Sequence, residues 1–159
     1  MATCLAVAIA AATAAADPLL VVTADNTVVD ASCRISIAAD TVIEDTVGNG
    51  VIHVAADNVT LDFTDSPGPL RGVASRVPFE AMRGGGVRIT GHSGGTRVAP
   101  RVHGFRVGID AEAADGLAIV DGDASDGYAM RLRSTPLAED LTDWLAPHEN
   151  DGGEWTQRY

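Results

Sequence analysis

Lysine is absent from this chain of 159 residues: all eleven basic residues are arginine, set against 22 aspartates and glutamates, for a net charge of −11. With no basic stripe to neutralise phosphates, nucleic acid is excluded as a partner. An acidic, lysine-free surface fits a secreted protein or one from a high-salt setting, and genomic base composition accounts for the missing lysine equally well. Aromatic residues make up only 4% of the chain, so the large aromatic anchors of sandwiches and helical bundles are missing. The two cysteines, Cys4 and Cys33, imply no disulfide framework. Long apolar runs are missing too, apart from MATCLAVAIAAATAAA at residues 1–16, which is too short and too weakly apolar for a membrane span. That run ends in small residues like a secretory signal peptide but has no charged n-region. It reads either as a signal peptide or as an N-terminal cap, and if it is cleaved Cys33 is left unpaired as a small buried hydrophobe.

What the chain does have is alanine, valine, glycine, aspartate and threonine in short alternating runs. The stretch GVIHVAADNVTLDF, residues 50–63, places Ile52/Val54 and Val59/Leu61/Phe63 on either side of the turn Ala56-Asp57-Asn58. Alternation with period two gives a strand with one buried face, and so tight a turn continues the chain into a second strand. One such unit cannot bury its apolar face alone and needs stacked copies. The copies are present. LLVVT, TVVD, CRISIA and TVIED precede this unit, punctuated by Asp25-Asn26, Ala39-Asp40 and Gly48-Asn49-Gly50; GVRITGHSGGTRV and RVHGFRVGIDAEAADGLAIVDGDASDGY follow it.

Residues 17–128 thus read as one repeat domain, interrupted at 64–86 by a Pro- and Gly-rich loop that leaves the stack, with a short helical turn near Phe79–Met82. Gly84-Gly85-Gly86 lacks the Lys-Ser/Thr of a phosphate loop and reads as flexibility. Val59/Leu61 aligns with Gly95/Arg97 and then with Leu117/Ile119, steps of 36 and 22 residues. The longer step contains the loop, so the underlying coil is about 22 residues long, the length of one three-strand turn of a right-handed parallel β-helix. The expected fold is all-β: a right-handed parallel β-helix, or solenoid, of about four or five coils with a helix-containing C-terminal tail.

The phrases NVTLDF, LRG, GVRITGH, RVHGFRVGID and ADGLAIVDGDASD resemble the right-handed parallel β-helix repeat proteins of the pectin-lyase-like superfamily, over roughly residues 20–159. The resemblance implies a secreted or cell-surface carbohydrate-active protein of the polysaccharide lyase, epimerase or hydrolase kind. A non-catalytic binding or structural solenoid, or an inactive fragment of a longer enzyme, is the competing class. The chain departs from the family pattern at Gly95, Arg97 and Pro100. Arg97 facing inward would be an unpaired buried charge, so either the register slips to turn Val98 inward or this coil is a weak spot. Catalytic members also have many more coils, which suggests a truncated or incomplete β-helix.

The segment 129–159 has a different character and carries both tryptophans. Leu137, Leu141, Trp144 and Leu145 recur at helical spacing after Ser134-Thr135-Pro136, giving an expected short helix over 136–145. As the wall of a groove, this tail offers Trp144 and Trp155 to stack on sugar rings of an acidic or neutral polysaccharide, with Arg133 beside them. His148 would act as general base, alongside Arg131 and Asp143. Ala146-Pro147-His148-Glu149 resembles the Asp-Pro-His-Glu run of alginate C5-epimerases, with Ala146 in place of the aspartate. As a buttress, the same tail offers only apolar anchors and a solvated acidic face. A second acidic group includes Asp110, Glu112 and Asp115 and ends in Asp121, Asp123 and Asp126, the candidate ligands for Ca²⁺. His53, His92 and His103 have no metal-ligand spacing. Because a parallel stack leaves an open edge at each end, the last coil, near Leu117–Val120, is expected to promote self-association.

Overall fold

The computed structural model describes residues 16–73, 82–124, 129–133 and 154–157, the last two segments by their backbone alone. Short β-branched runs between turns give the first seven strands: β1 (Leu19–Val21), β2 (Thr27–Val29), β3 (Cys33–Ser36), β4 (Ile52–Val54), β5 (Thr60–Asp62), β6 (Leu70–Arg71) and β7 (Gly85–Thr90). They are followed by β8 (Thr96–Val98), β9 (Val102–His103), β10 (Val107–Glu112), β11 (Ala118–Val120), β12 (Ala129–Arg133) and β13 (Glu154–Gln157). The protein is all-β, and no helix among the described residues is long and apolar enough to cross a membrane.

The strands sort into three sheets, ordered β1-β3-β5-β8-β11, β2-β4-β7-β10-β12-β13 and β6-β9. Every pairing is parallel except the antiparallel β12–β13 pair. From β4 onward the chain visits the sheets in a fixed cycle: β4, β5, β6, then β7, β8, β9, then β10, β11 and the bridge between Arg101 and Asp123, then β12. Ile43 fills the third position one cycle earlier, its N–H donating to the Arg71 carbonyl at 2.8 Å.

The register is the one the repeat alignment gives: Leu61 pairs with Arg97 and Arg97 with Ile119. It does not slip at Arg97. The arginine points inward and is 1% exposed, while Val98 is only partly buried. Pro100 falls after β8 rather than within it, so it removes no donor from that ladder. The core is built from small and branched side chains, with Ile52, Val87 and Ile109 in one inward file and Val54, Ile89 and Ala111 in the next. Phe63 and Phe105 are its fully buried aromatics. Each Val, Leu or Ile so buried contributes about 1.5–3 kcal/mol. Cys33 is buried and unpaired among these residues, as a small hydrophobe.

The stretch 64–86 is tied to the sheets at both ends. Gly68 N–H donates to the Ile37 carbonyl, Leu70–Arg71 pairs with β9, and β7 begins at Gly85. Residues 74–81 lie outside the described residues, and with them most of the turn expected near Phe79–Met82. Gly85 and Gly86 are close-packed strand residues rather than a flexible hinge. A Cβ on Gly86 would sit 2.3 Å from Val102 Cγ1 and 2.5 Å from the Gly108 carbonyl. The second sheet extends beyond residue 128 through β12 and β13, whereas the helix expected at 136–145 lies outside the described residues.

Candidate functional site

Three adjacent strands of the second sheet begin side by side, and a cleft of about 470 Å³ opens there, lined by Gly48, Asn49 and Gly50 before β4, Arg83, Gly84, Gly85, Val87 and Arg88 around β7, and Arg106, Val107 and Asp110 around β10. Its floor is fixed by one carboxylate. Asp45 is 7% exposed, and its oxygens accept the N–H groups of Gly48 at 2.8 Å, Asn49 at 3.2 Å, Gly50 at 2.9 Å and Gly85 at 2.7 Å. Burial alone would raise the pKa of this group, but the N–H donors of Gly85, Gly50, Gly48 and Asn49 outweigh it and hold the carboxyl below the ordinary range. Gly84 supports the same knot. Its φ is +74°, and a Cβ there would come within 2.9 Å of Asp45 Cβ.

The charged wall follows from register. His53, Arg88, Asp110 and Arg131 occupy successive strands at one level, and Thr90, Glu112 and Arg133 occupy the level two residues on. Neighbouring strands stand about 4.8 Å apart, which brings the Arg88 side chain within reach of Asp110 and Glu112. Arg88 Nη1 is 3.6 Å from Asp110 Oδ2, Nη2 is 4.0 Å from Glu112 Oε2, and Nε donates to Thr90 Oγ1 at 3.2 Å. Arg88 is about one-third exposed, and such pairs contribute under about 1 kcal/mol each; they orient the guanidinium more than they stabilise the fold. Arg83 and Arg106 come together through the backbone, Arg106 N–H donating to the Arg83 carbonyl at 3.1 Å. The β10–β12 register shifts between Val107 and Asp110, re-aiming the strand beside the cleft.

Three arginines and one carboxylate line this cleft in a chain whose net charge is −11. A concave site of that sign draws anionic groups, and the planar guanidinium forks suit carboxylates or sulfates.

Of the residues singled out from the sequence, Arg131 and Arg133 lie in β12 with their backbones opposite Asp110 and Glu112, at the edge of this wall. Trp155 lies in β13 opposite Leu132. His148, Asp143, Trp144 and Asp126 lie outside the described residues. Asp121 and Asp123 are not part of the cleft. Asp121 is exposed at the corner after β11, with a left-handed φ of 51°, the conformation Ala99 adopts at the corresponding corner after β8. Asp123 lies beside the third sheet, its Oδ2 3.2 Å from His103 Nε2. Among the described residues, no three His, Cys, Asp or Glu side chains are grouped to hold a metal ion. Sequence reasoning missed Asp45, Arg83, Arg88 and Arg106. Arg88 and Asp110 are 22 residues apart, the coil length itself, and that spacing could have paired them.

No family model, curated protein or solved structure matches this chain.

Proposed function

We propose that the stack is a right-handed parallel β-helix of the pectin-lyase-like kind, and that it is a secreted or cell-surface carbohydrate-active protein whose arginine-lined cleft binds an acidic polysaccharide. The observation that carries this reading is the cleft: Arg83, Arg88 and Arg106 around Asp110 on an otherwise acidic chain. A linear polymer bearing one carboxylate or sulfate per sugar presents charges at a regular repeat, and a sheet whose strands repeat every 4.8 Å can meet them with a row of side chains. The fixed Asp45 loop keeps the floor rigid, which lowers the ordering cost of binding.

Among the lining residues Asp110 is the one carboxylate and there is no histidine, so the lining by itself provides no acid–base pair. This favours polysaccharide binding as the primary activity. A lyase, epimerase or hydrolase activity is the second reading, and it rests on Arg131 standing next to Asp110 on the same sheet.

Calorimetric titration of the chain with polygalacturonate, alginate and neutral dextran, with and without Ca²⁺, separates these readings. The expected result is binding to the acidic polymers alone, weakened by salt and reduced about tenfold or more in an Arg88→Gln/Arg106→Gln double variant, as expected when charge-assisted contacts are removed. Equal binding to dextran, or a double variant that binds like the parent, would overturn the reading. Ultraviolet absorbance from an unsaturated uronate product in the same mixtures would establish the lyase alternative.

A further inference from the structure

Arg97 is the largest fully buried side chain in the described structure. It occupies the inward file between Leu61 and Ile119, one strand further from Cys33. Nη1 donates to the carbonyls of Val59 at 2.8 Å and Thr96 at 2.9 Å, while Nε and Nη2, both sealed from solvent, meet no acceptor. None of the ion pairs among the described residues involves Arg97. Burial lowers its pKa to about 10, and the guanidinium still remains charged at neutral pH. Cys33 supplies no counter-charge, because burial and then Asp17 raise its pKa and keep the thiol neutral. An uncompensated buried cation costs several kcal/mol. Water could satisfy the two nitrogens but would not offset the charge.

Gly95 gives the guanidinium its place. A Cβ there would lie 3.0 Å from Nη1 and 3.3 Å from Nη2. Gly95 follows the exposed Ser93 and Gly94 directly in the chain.

We propose that Arg97 is the protein half of an interior anion site that takes an atom-sized monovalent anion, chloride under ordinary ionic conditions, on its Nε and Nη2. Bulky carboxylates and polyatomic anions do not fit, since both nitrogens are enclosed by the core. The overall negative charge opposes anion uptake, so the site fills as the chloride concentration rises and acts as a salt-dependent stabiliser of the central strands β5, β8 and β11. This site is independent of the cleft and does not rest on the polysaccharide reading.

Thermal and urea unfolding of the full chain at constant ionic strength, with chloride exchanged for gluconate from about 0.05 to 2 M, tests the site. The expected result is a folding equilibrium constant that rises with chloride, approaching a tenfold gain per tenfold increase once the site saturates. In Arg97→Met that dependence disappears, and the variant is more stable than the parent at low chloride because the buried charge is gone. ³⁵Cl line broadening should be present in the parent and lost in Arg97→Met, and it reads the site directly in the parent even if the variant folds poorly. A parent indifferent to the chloride–gluconate exchange and without line broadening would overturn the proposal. So would an Arg97→Met variant that retains the full chloride dependence.

Discussion

Asp45 is the residue on which the cleft depends most. Four backbone N–H groups from two segments converge on its carboxylate, and replacing one oxygen by an amide leaves buried donors facing a donor. Asp45→Asn is expected to lower stability by roughly 1–3 kcal/mol, measured by urea unfolding, as for other buried donors left without an acceptor. The pH dependence has a definite sign. A carboxyl held below its unfolded value of about 3.9 stabilises the fold above that pH, and the contribution is lost as pH falls through the folded value. Asp62 adds to the same acid window, because the Thr64 side chain and N–H hold its carboxyl low. Acid unfolding of the Asp45→Asn variant should therefore show a shallower loss of stability below pH about 4 than the parent. Residues like Asp45 were hard to see in the sequence because their partners are backbone groups, 40 residues away in the case of Gly85, and no side-chain motif marks them. Arg97 was legible as an anomaly. That it stays inward became clear only once Gly95 and the Val59 carbonyl were seen to accommodate it.

At the level of the elements, the alternating apolar runs and the 22-residue step were enough to give strand identity and register, and Leu61, Arg97 and Ile119 align as the repeat requires. The weaker point was the Gly84–Gly86 run, because glycine in a sequence signals a turn and a close approach equally well. Here the close approach decides. Gly86 faces Val102 on the third sheet, and Gly86→Ala is expected to cost about 1–3 kcal/mol through overpacking, read as a lower melting temperature with an unchanged fold by circular dichroism. Asp121 illustrates a local cause. Its place in an acidic cluster suggests a cation ligand, and its left-handed backbone at a sheet corner also suits an aspartate through turn chemistry.

For the whole molecule, the first sheet ends at β11, with no further strand beside it among the described residues, while the second continues to β13. A parallel strand edge that no further strand pairs offers N–H and C=O groups to another chain. Sedimentation velocity should detect concentration-dependent association, reduced in Val120→Lys, where a charge replaces a partly exposed apolar side chain on that edge. A monodisperse monomer at high concentration would remove this expectation. The proposed reading has an acidic polysaccharide seated in the arginine-lined cleft of an acidic chain. Backbone amide chemical-shift mapping during titration with a short oligogalacturonate tests it most directly. The expected perturbations are concentrated at Gly48–Gly50, Arg83–Arg88 and Arg106–Asp110, the segments that line the cleft. Perturbations confined to residues 129–159, or no perturbation at all, would contradict it.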